Sequence, residues 1–160
     1  MNIMTSTPET ATTVDLERIA DNTASSCIAT RVRQLSRIIT RVYDDAMRPL
    51  GITASQFTLL TQLAARDGIT AVEIGQELDI EKSTLSRNLK RLLALGLLIM
   101  DPPAGRRGRG LHLTPKGQAV IKDAYPVWLT AQQRTVGVLG PESRAILDGL
   151  VQHAERLASS

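Results

Sequence analysis

The stretch TAVEIGQELDIEKSTLSRNLKRLLALGLL, residues 70–98, decides the fold of this 160-residue chain. Thr70 and Glu73 have the spacing of a capping box. The hydroxyl accepts from a free backbone N–H at a helix start and the carboxylate reaches back. Val72, Ile74 and Leu78 follow as the apolar side of that first helix. After a short polar link, Asp79 to Glu81, the spacing predicts a second helix from about Lys82 to Leu95. Leu85, Leu89, Leu92 and Leu93 make its buried stripe. Gly96 suits the position after a helix end, because glycine takes positive φ without strain. The opposite side of the second helix then carries Lys82, Ser83, Ser86, Arg87 and Lys90 along one edge, beside Thr84.

Downstream the period changes. Leu97 to Met100 is short, apolar and bounded by Gly96 and Asp101-Pro102-Pro103, which predicts a strand. Gly110-Leu111-His112-Leu113-Thr114 alternates and predicts its partner. The connection is rich in Pro, Gly and Arg, holds Arg106, Arg107 and Arg109, and must project into solvent. Charge changes sign across this segment. Gly68–Glu81 holds four acids and no Lys or Arg, whereas Lys82–His112 holds seven Lys/Arg against Asp101 alone. A helix fits the major groove, where hydroxyls, Arg and Lys reach base edges and phosphates, and a cationic loop fits the adjacent minor groove. Helix, tight turn, helix and basic hairpin together describe a winged helix-turn-helix. A solvated basic surface on an ordinary three-helix core has the same composition. The agreement of spacing, turn and wing favours the nucleic-acid reading.

Upstream, Thr53-Ala-Ser-Gln56 is another capping box, opening a helix with Phe57, Leu59, Leu60 and Leu63 that stops at Asp67-Gly68. Before it, Ile28, Val32, Leu35, Ile39, Val42 and Ala46 recur at steps of four and three, an a/d seam on a helix from about Ser26 to Arg48. Residues 1–12 are Thr/Ser-rich and read as a disordered tail, with Val14, Leu16 and Ile19 forming at most a short helix. After the hairpin, Thr114-Pro115 is an N-cap with Pro at the first helical position, opening a helix to about Val138. A last helix carries Ile146 or Leu147, Leu150, Ala154 and Leu157. The seam and the terminal stripe exceed what a winged-helix core can cover, so they bury against each other or against a second copy.

Composition bounds the alternatives. Hydrophobic residues make up 42% and charged residues 22%, which excludes a fully disordered chain, while 2% aromatics require an aliphatic core that favours helices. The longest apolar run, Leu92 to Met100, is far too short to span a membrane, and no signal peptide is read. One cysteine makes no intrachain disulfide, which fits a cytoplasmic protein. The expected fold class is therefore mostly α with a small β-hairpin wing. The expected organisation is a tail at 1–12, N-terminal dimerisation helices at 13–50, a winged helix-turn-helix at 51–114 and C-terminal dimerisation helices at 115–158.

The order of a long helix, GITASQFTLLTQLA, residues 70–98, a basic wing, LHLTPKG and two closing helices resembles the MarR family of transcriptional regulators. The resemblance covers about residues 24–158 and is most specific at Ser83-Thr84-Leu85-Ser86-Arg87, Gly96-Leu97, Leu113-Thr114 and Gly117. It implies a homodimer built from the N- and C-terminal helices. It also implies binding to a palindromic operator on double-stranded DNA, usually as a repressor released by a small anionic or aromatic ligand. Ser83, Thr84, Ser86 and Arg87 fall where family recognition helices meet the major groove, and Arg107 where the family wing has its arginine. The Asp that normally stands two residues before that arginine, as a brace, is Gly105 here.

Weaker signals remain. Cys27 lies near the position of a reactive cysteine in peroxide-sensing members of the family, which opens an alternative of redox sensing; the plainer reading is a small interior helix residue. Arg31, Arg33, Arg37 and Arg41 are candidates to clamp an anionic effector, with Phe57, Tyr125 and Trp128 as candidate pocket walls; a solvated helix face explains each Arg at least as well, and such aromatics are more often plain core. An effector-independent architectural DNA-binding protein is a further alternative. His112 and His153 have no ligand-spaced partners, so no metal or cofactor is expected, and no catalytic constellation suggests an enzyme.

Overall fold

The computed structural model describes residues 10–102 and 108–158. Its helices are α1 (Thr10–Ser26), α2 (Ile28–Met47), α3 (Ala54–Ala65), α4 (Ala71–Glu77), α5 (Lys82–Ala94), α6 (Pro115–Leu139) and α7 (Ser143–Ala158), and its strands are β1 (Leu98–Met100) and β2 (Leu111–Leu113). The mostly α class with a single hairpin is as the sequence predicts. The chain divides into two compact units, residues 1–39 and 40–160.

The first unit holds α1 and the start of α2. Helix α1 begins at Thr10, so the expected tail is too long by residues 10–12, which are helical; the rest of it lies outside the described residues. Three of those first helical residues are Thr or Ala, whose composition reads as a tail although Ala is a strong helix former. Leu16, Ile19, Ile28, Val32, Leu35 and Ile38 are all exposed.

The second unit contains the core. Met47, Leu59, Leu60, Leu63, Ile74, Leu92, Leu98 and Leu111 are fully buried, joined by Phe57, Leu85, Leu89 and Leu97. Both predicted capping boxes form. Gln56 N–H donates to the Thr53 hydroxyl at 3.2 Å and Thr53 N–H to the Gln56 carbonyl at 3.1 Å. Thr70 N–H donates to the Glu73 carboxylate at 2.8 Å and Glu73 N–H to the Thr70 hydroxyl at 3.3 Å. The two strands pair antiparallel with Leu98 opposite Leu113, Ile99 opposite His112 and Met100 opposite Leu111. A bridge between Thr70 and Gly110, with Leu111 N–H donating to the Ile69 carbonyl at 3.0 Å, hooks the hairpin onto the α3–α4 connection.

Helix α6 is sewn to the turn after α5. The Thr114 hydroxyl accepts from Gly117 N–H at 3.0 Å and donates to the Gly96 carbonyl at 2.7 Å. Gly117 packs so close to the Leu97 carbonyl that a Cβ there would lie 2.0 Å from its oxygen, so any side chain would force the two apart. On α7, by contrast, Ile146, Leu150, Val151 and Leu157 stay exposed.

Candidate nucleic-acid interface

The turn between α4 and α5 sets the presentation of α5. Asp79 adopts φ +48°, a left-handed conformation that Asp tolerates better than most residues. Ile80 N–H then donates to the Gly75 carbonyl at 3.0 Å. Leu85, Leu89 and Leu92 face the core, so Lys82, Ser83, Ser86, Arg87 and Lys90 are left exposed on the opposite edge, with Thr84 half-buried beside them. The register of the buried stripe thus dictates the register of the polar edge.

Glu81 caps this helix. Its carboxylate accepts from the backbone N–H groups of Ser83 at 2.8 Å and Thr84 at 3.1 Å, and from the Ser83 hydroxyl. These hydrogen bonds, led by that of the Ser83 side chain, hold the Glu81 carboxyl below its ordinary pKa, with a smaller contribution from Arg87. The sequence reading placed Glu81 in a passive link and Ser83 among the base-reading groups. In the chain without DNA the Ser83 hydroxyl is instead engaged by the cap. An acid directly before a helix start was the available signal. Arg87 lies along the outer edge, its guanidinium donating to the Thr84 hydroxyl at 3.2 Å. Gln56 was legible only as a cap. It also reaches α5, where its amide lies 3.5 Å from the Asn88 carbonyl oxygen.

On the wing, Arg109 is exposed and its guanidinium donates to the Asp101 carbonyl. Arg106 and Arg107 lie outside the described residues, as does Gly105. Beside α5, Val72, Gly75, Ile80, Leu85, Leu89 and Met100 wall a groove of about 700 Å³ whose rim carries Lys82 and Lys90.

Phe57 is a core residue, the plainer of the two readings the sequence allows it, because the register that caps α3 at Thr53 turns it inward with Leu60. Trp128 is half-buried against the same core and stacks on Tyr125, ring centroids 6.0 Å apart. Arg31, Arg33, Arg37 and Arg41 are exposed, and Arg31 donates to Gln34 at 3.3 Å. Tyr43 donates to the Gln132 carbonyl oxygen. Cys27 sits between α1 and α2, and its thiol is held below the ordinary pKa chiefly by hydrogen bonds from the Thr30 side chain and backbone. Among the described residues no group of three His, Cys, Asp or Glu is placed to hold a metal ion, and no helix is long and apolar enough to cross a membrane.

Residues 50–108, which include this whole edge, match the model of the MarR family. The solved structure of the Mycobacterium tuberculosis transcriptional regulator MosR superposes with a TM-score of 0.73 at 32% identity, covering 82% of this chain and 98% of that one. The chain belongs to the MarR family. The same regulator solved in complex with DNA gives a TM-score of 0.72 at 30% identity, covering 82% and 98% of the two chains. The multiple antibiotic resistance protein MarR of Salmonella typhimurium is 35% identical over 86 residues, 53% of this chain. The match spans 60% of that curated relative's length. The similarity to solved MarR-family structures covers the winged-helix fold found here.

Proposed function

We propose that this MarR-family chain is a cytoplasmic, DNA-binding transcriptional regulator, a repressor that acts as a homodimer on an inverted repeat. The observation that carries the reading is the exposed edge of α5: Lys82, Ser86, Arg87 and Lys90 are exposed opposite the buried Leu85, Leu89 and Leu92. The edge enters a major groove, and the basic connection between the strands, whose sequence holds Arg106, Arg107 and Arg109, meets the neighbouring minor groove. Ser83 and Thr84, at the helix start, approach phosphate. The MosR–DNA complex supports this docking by likeness of fold.

Dimerisation is supported by the exposed apolar residues of α1, α2 and α7, among them Ile28, Val32, Leu150 and Leu157, which water does not favour and a second copy would cover. A two-fold dimer spaces its half-sites about one helical turn, 10–10.5 bp, apart. Selection of duplexes from fragmented genomic DNA tests this directly. Enrichment of an inverted repeat at that spacing is expected. Uniform recovery of random duplexes would replace the regulator with an architectural DNA-binding protein.

We infer that a small anionic or aromatic effector releases the DNA. The groove beside α5 has a volume of about 700 Å³ and mostly apolar walls, and its lining holds Lys82 and Lys90 against the single acid Asp79, a combination suited to such a molecule. A panel of aromatic acids is expected to raise the melting temperature and to lower DNA affinity; a panel without either effect would remove the effector. A second reading, thiol control, is favoured by the hydrogen bonds that Thr30 makes to Cys27, since the thiolate is the reactive form. Retained peroxide sensitivity of DNA binding in Cys27→Ser would exclude it.

A further inference from the structure

His112 sits at the base of the wing with a carboxylate on each ring nitrogen: Asp67 on Nδ1 at 2.9 Å and Asp101 on Nε2 at 3.0 Å. The neutral ring has one N–H and one lone pair, so it can donate to only one of the two carboxylates and must turn its lone pair on the other. The imidazolium donates to both. Asp67 belongs to the α3–α4 connection and Asp101 to the first wing residue after β1, so the ring ties the helical body to the hairpin across β2. Asp101 in turn accepts the Arg109 guanidinium on its carbonyl. Gly110 makes room: a Cβ there would stand 2.5 Å from the Asp101 carboxylate and 3.3 Å from His112 Nε2.

We propose that protonated His112, clamped between Asp67 and Asp101, is a positioning residue that sets the wing and its Arg109 for DNA, so that operator affinity falls as this ring loses its proton. The proposal rests on the DNA-binding reading above. Backbone bonds from Gly68 N–H to the Leu111 carbonyl and from Asp101 N–H to the Gly110 carbonyl hold the hairpin in either charge state. What the ring controls is the Asp101 side chain and, through that residue, Arg109.

The groups around the ring agree in sign. From the α3–α4 connection comes Asp67, and from the hairpin come Asp101 and, across its carbonyl, the Arg109 cation. Helix α6 contributes Gln118, which is uncharged, and α3 contributes Leu63 and Ala64 to the adjoining cavity. Two near anions against one more distant cation favour the charged ring. The His112 pKa is accordingly raised from its ordinary value of 6.5, the Asp67 hydrogen bond contributing most and partial burial opposing. A raised pKa stabilises the fold fully below the ordinary value, and that contribution disappears as pH rises through the folded-state value.

The test has two readouts. Ring-nitrogen NMR of the full chain without DNA follows His112 from pH ~5 to ~9, a range that brackets the ordinary histidine pKa. A midpoint above that of His112 in the Asp101→Asn variant is expected. Equal midpoints would overturn the clamp. Affinity for the selected duplex is then measured over the same range. The wild type is expected to lose about three- to tenfold as the ring deprotonates, the change that up to one unit of pKa difference between free and bound states produces. His112→Gln and Asp101→Asn are expected to show a flat profile over that interval. A wild-type slope retained in both variants would overturn the positioning role. A raised midpoint in a chain that binds no duplex at any pH would overturn the DNA reading and the positioning role with it, while the clamp itself would stand.

Discussion

The winged-helix body and the terminal helices use the same aliphatic residues with opposite results. In the body, Leu60, Leu63, Leu92 and Leu98 are fully buried, and the helix starts at Thr53, Thr70, Glu81 and Thr114 are all capped by side chains. In α1, α2 and α7, Leu16, Ile28, Val32, Ile146, Leu150 and Leu157 lie open to water. A body so capped and packed carries its own stability. Apolar stripes left uncovered carry instead a demand for a partner, and helices of that kind gain most of their stability from packing rather than propensity. The contrast is thus present in one chain: the middle buries its apolar residues and presents a polar edge, and the ends leave theirs uncovered.

That contrast can be broken at its strongest point first. Leu60→Ala, a cavity in the body, is expected to cost about 2–5 kcal/mol in chemical denaturation, independent of protein concentration. A loss below about 1 kcal/mol would mean that the core relaxes around the hole and the body is less tightly packed than described.

The ends respond differently. Val32→Asp is expected to shift the dimer towards monomer in sedimentation, by roughly 1.5–3 kcal/mol per buried side chain lost, while the body keeps its secondary structure. An unchanged sedimentation profile would show that this stripe faces no second copy. A smaller effect belongs to local structure. Thr70→Ala removes the cap of α4 and is expected to cost about 0.5–2 kcal/mol of stability, with the oligomeric state untouched. Loss of dimer in this variant would deny the independence of the two regions.

How much of this was legible in the sequence follows the same division. Both capping boxes, the Leu85–Leu89–Leu92 stripe, the hairpin and the exposed edge of α5 were readable because each depends on residues a few positions apart. Glu81 was missed as a cap because an acid in a polar link resembles any loop residue until the helix start is fixed. The ring of His112 between Asp67 and Asp101 was invisible for another reason: its partners are 45 and 11 positions away and meet only through the hairpin's attachment to the α3–α4 connection. Phe57 was ambiguous in the sequence because an aromatic on an amphipathic helix has the same spacing whether it lines a pocket or fills a core. The seam Ile28–Ala46 was read correctly as apolar, yet period alone does not tell an intrachain surface from one shared between copies.

The central claim is that the outer edge of α5 reads DNA sequence. Its most direct test compares wild type with Arg87→Ala on the selected inverted repeat and on a scrambled duplex at matched salt. If Arg87 meets a base edge, the substitution costs about 1–3 kcal/mol on the repeat and much less on the scrambled duplex, narrowing the preference between them. Equal losses on both duplexes would assign Arg87 to phosphate, and no loss on either would contradict the claim that this edge faces DNA.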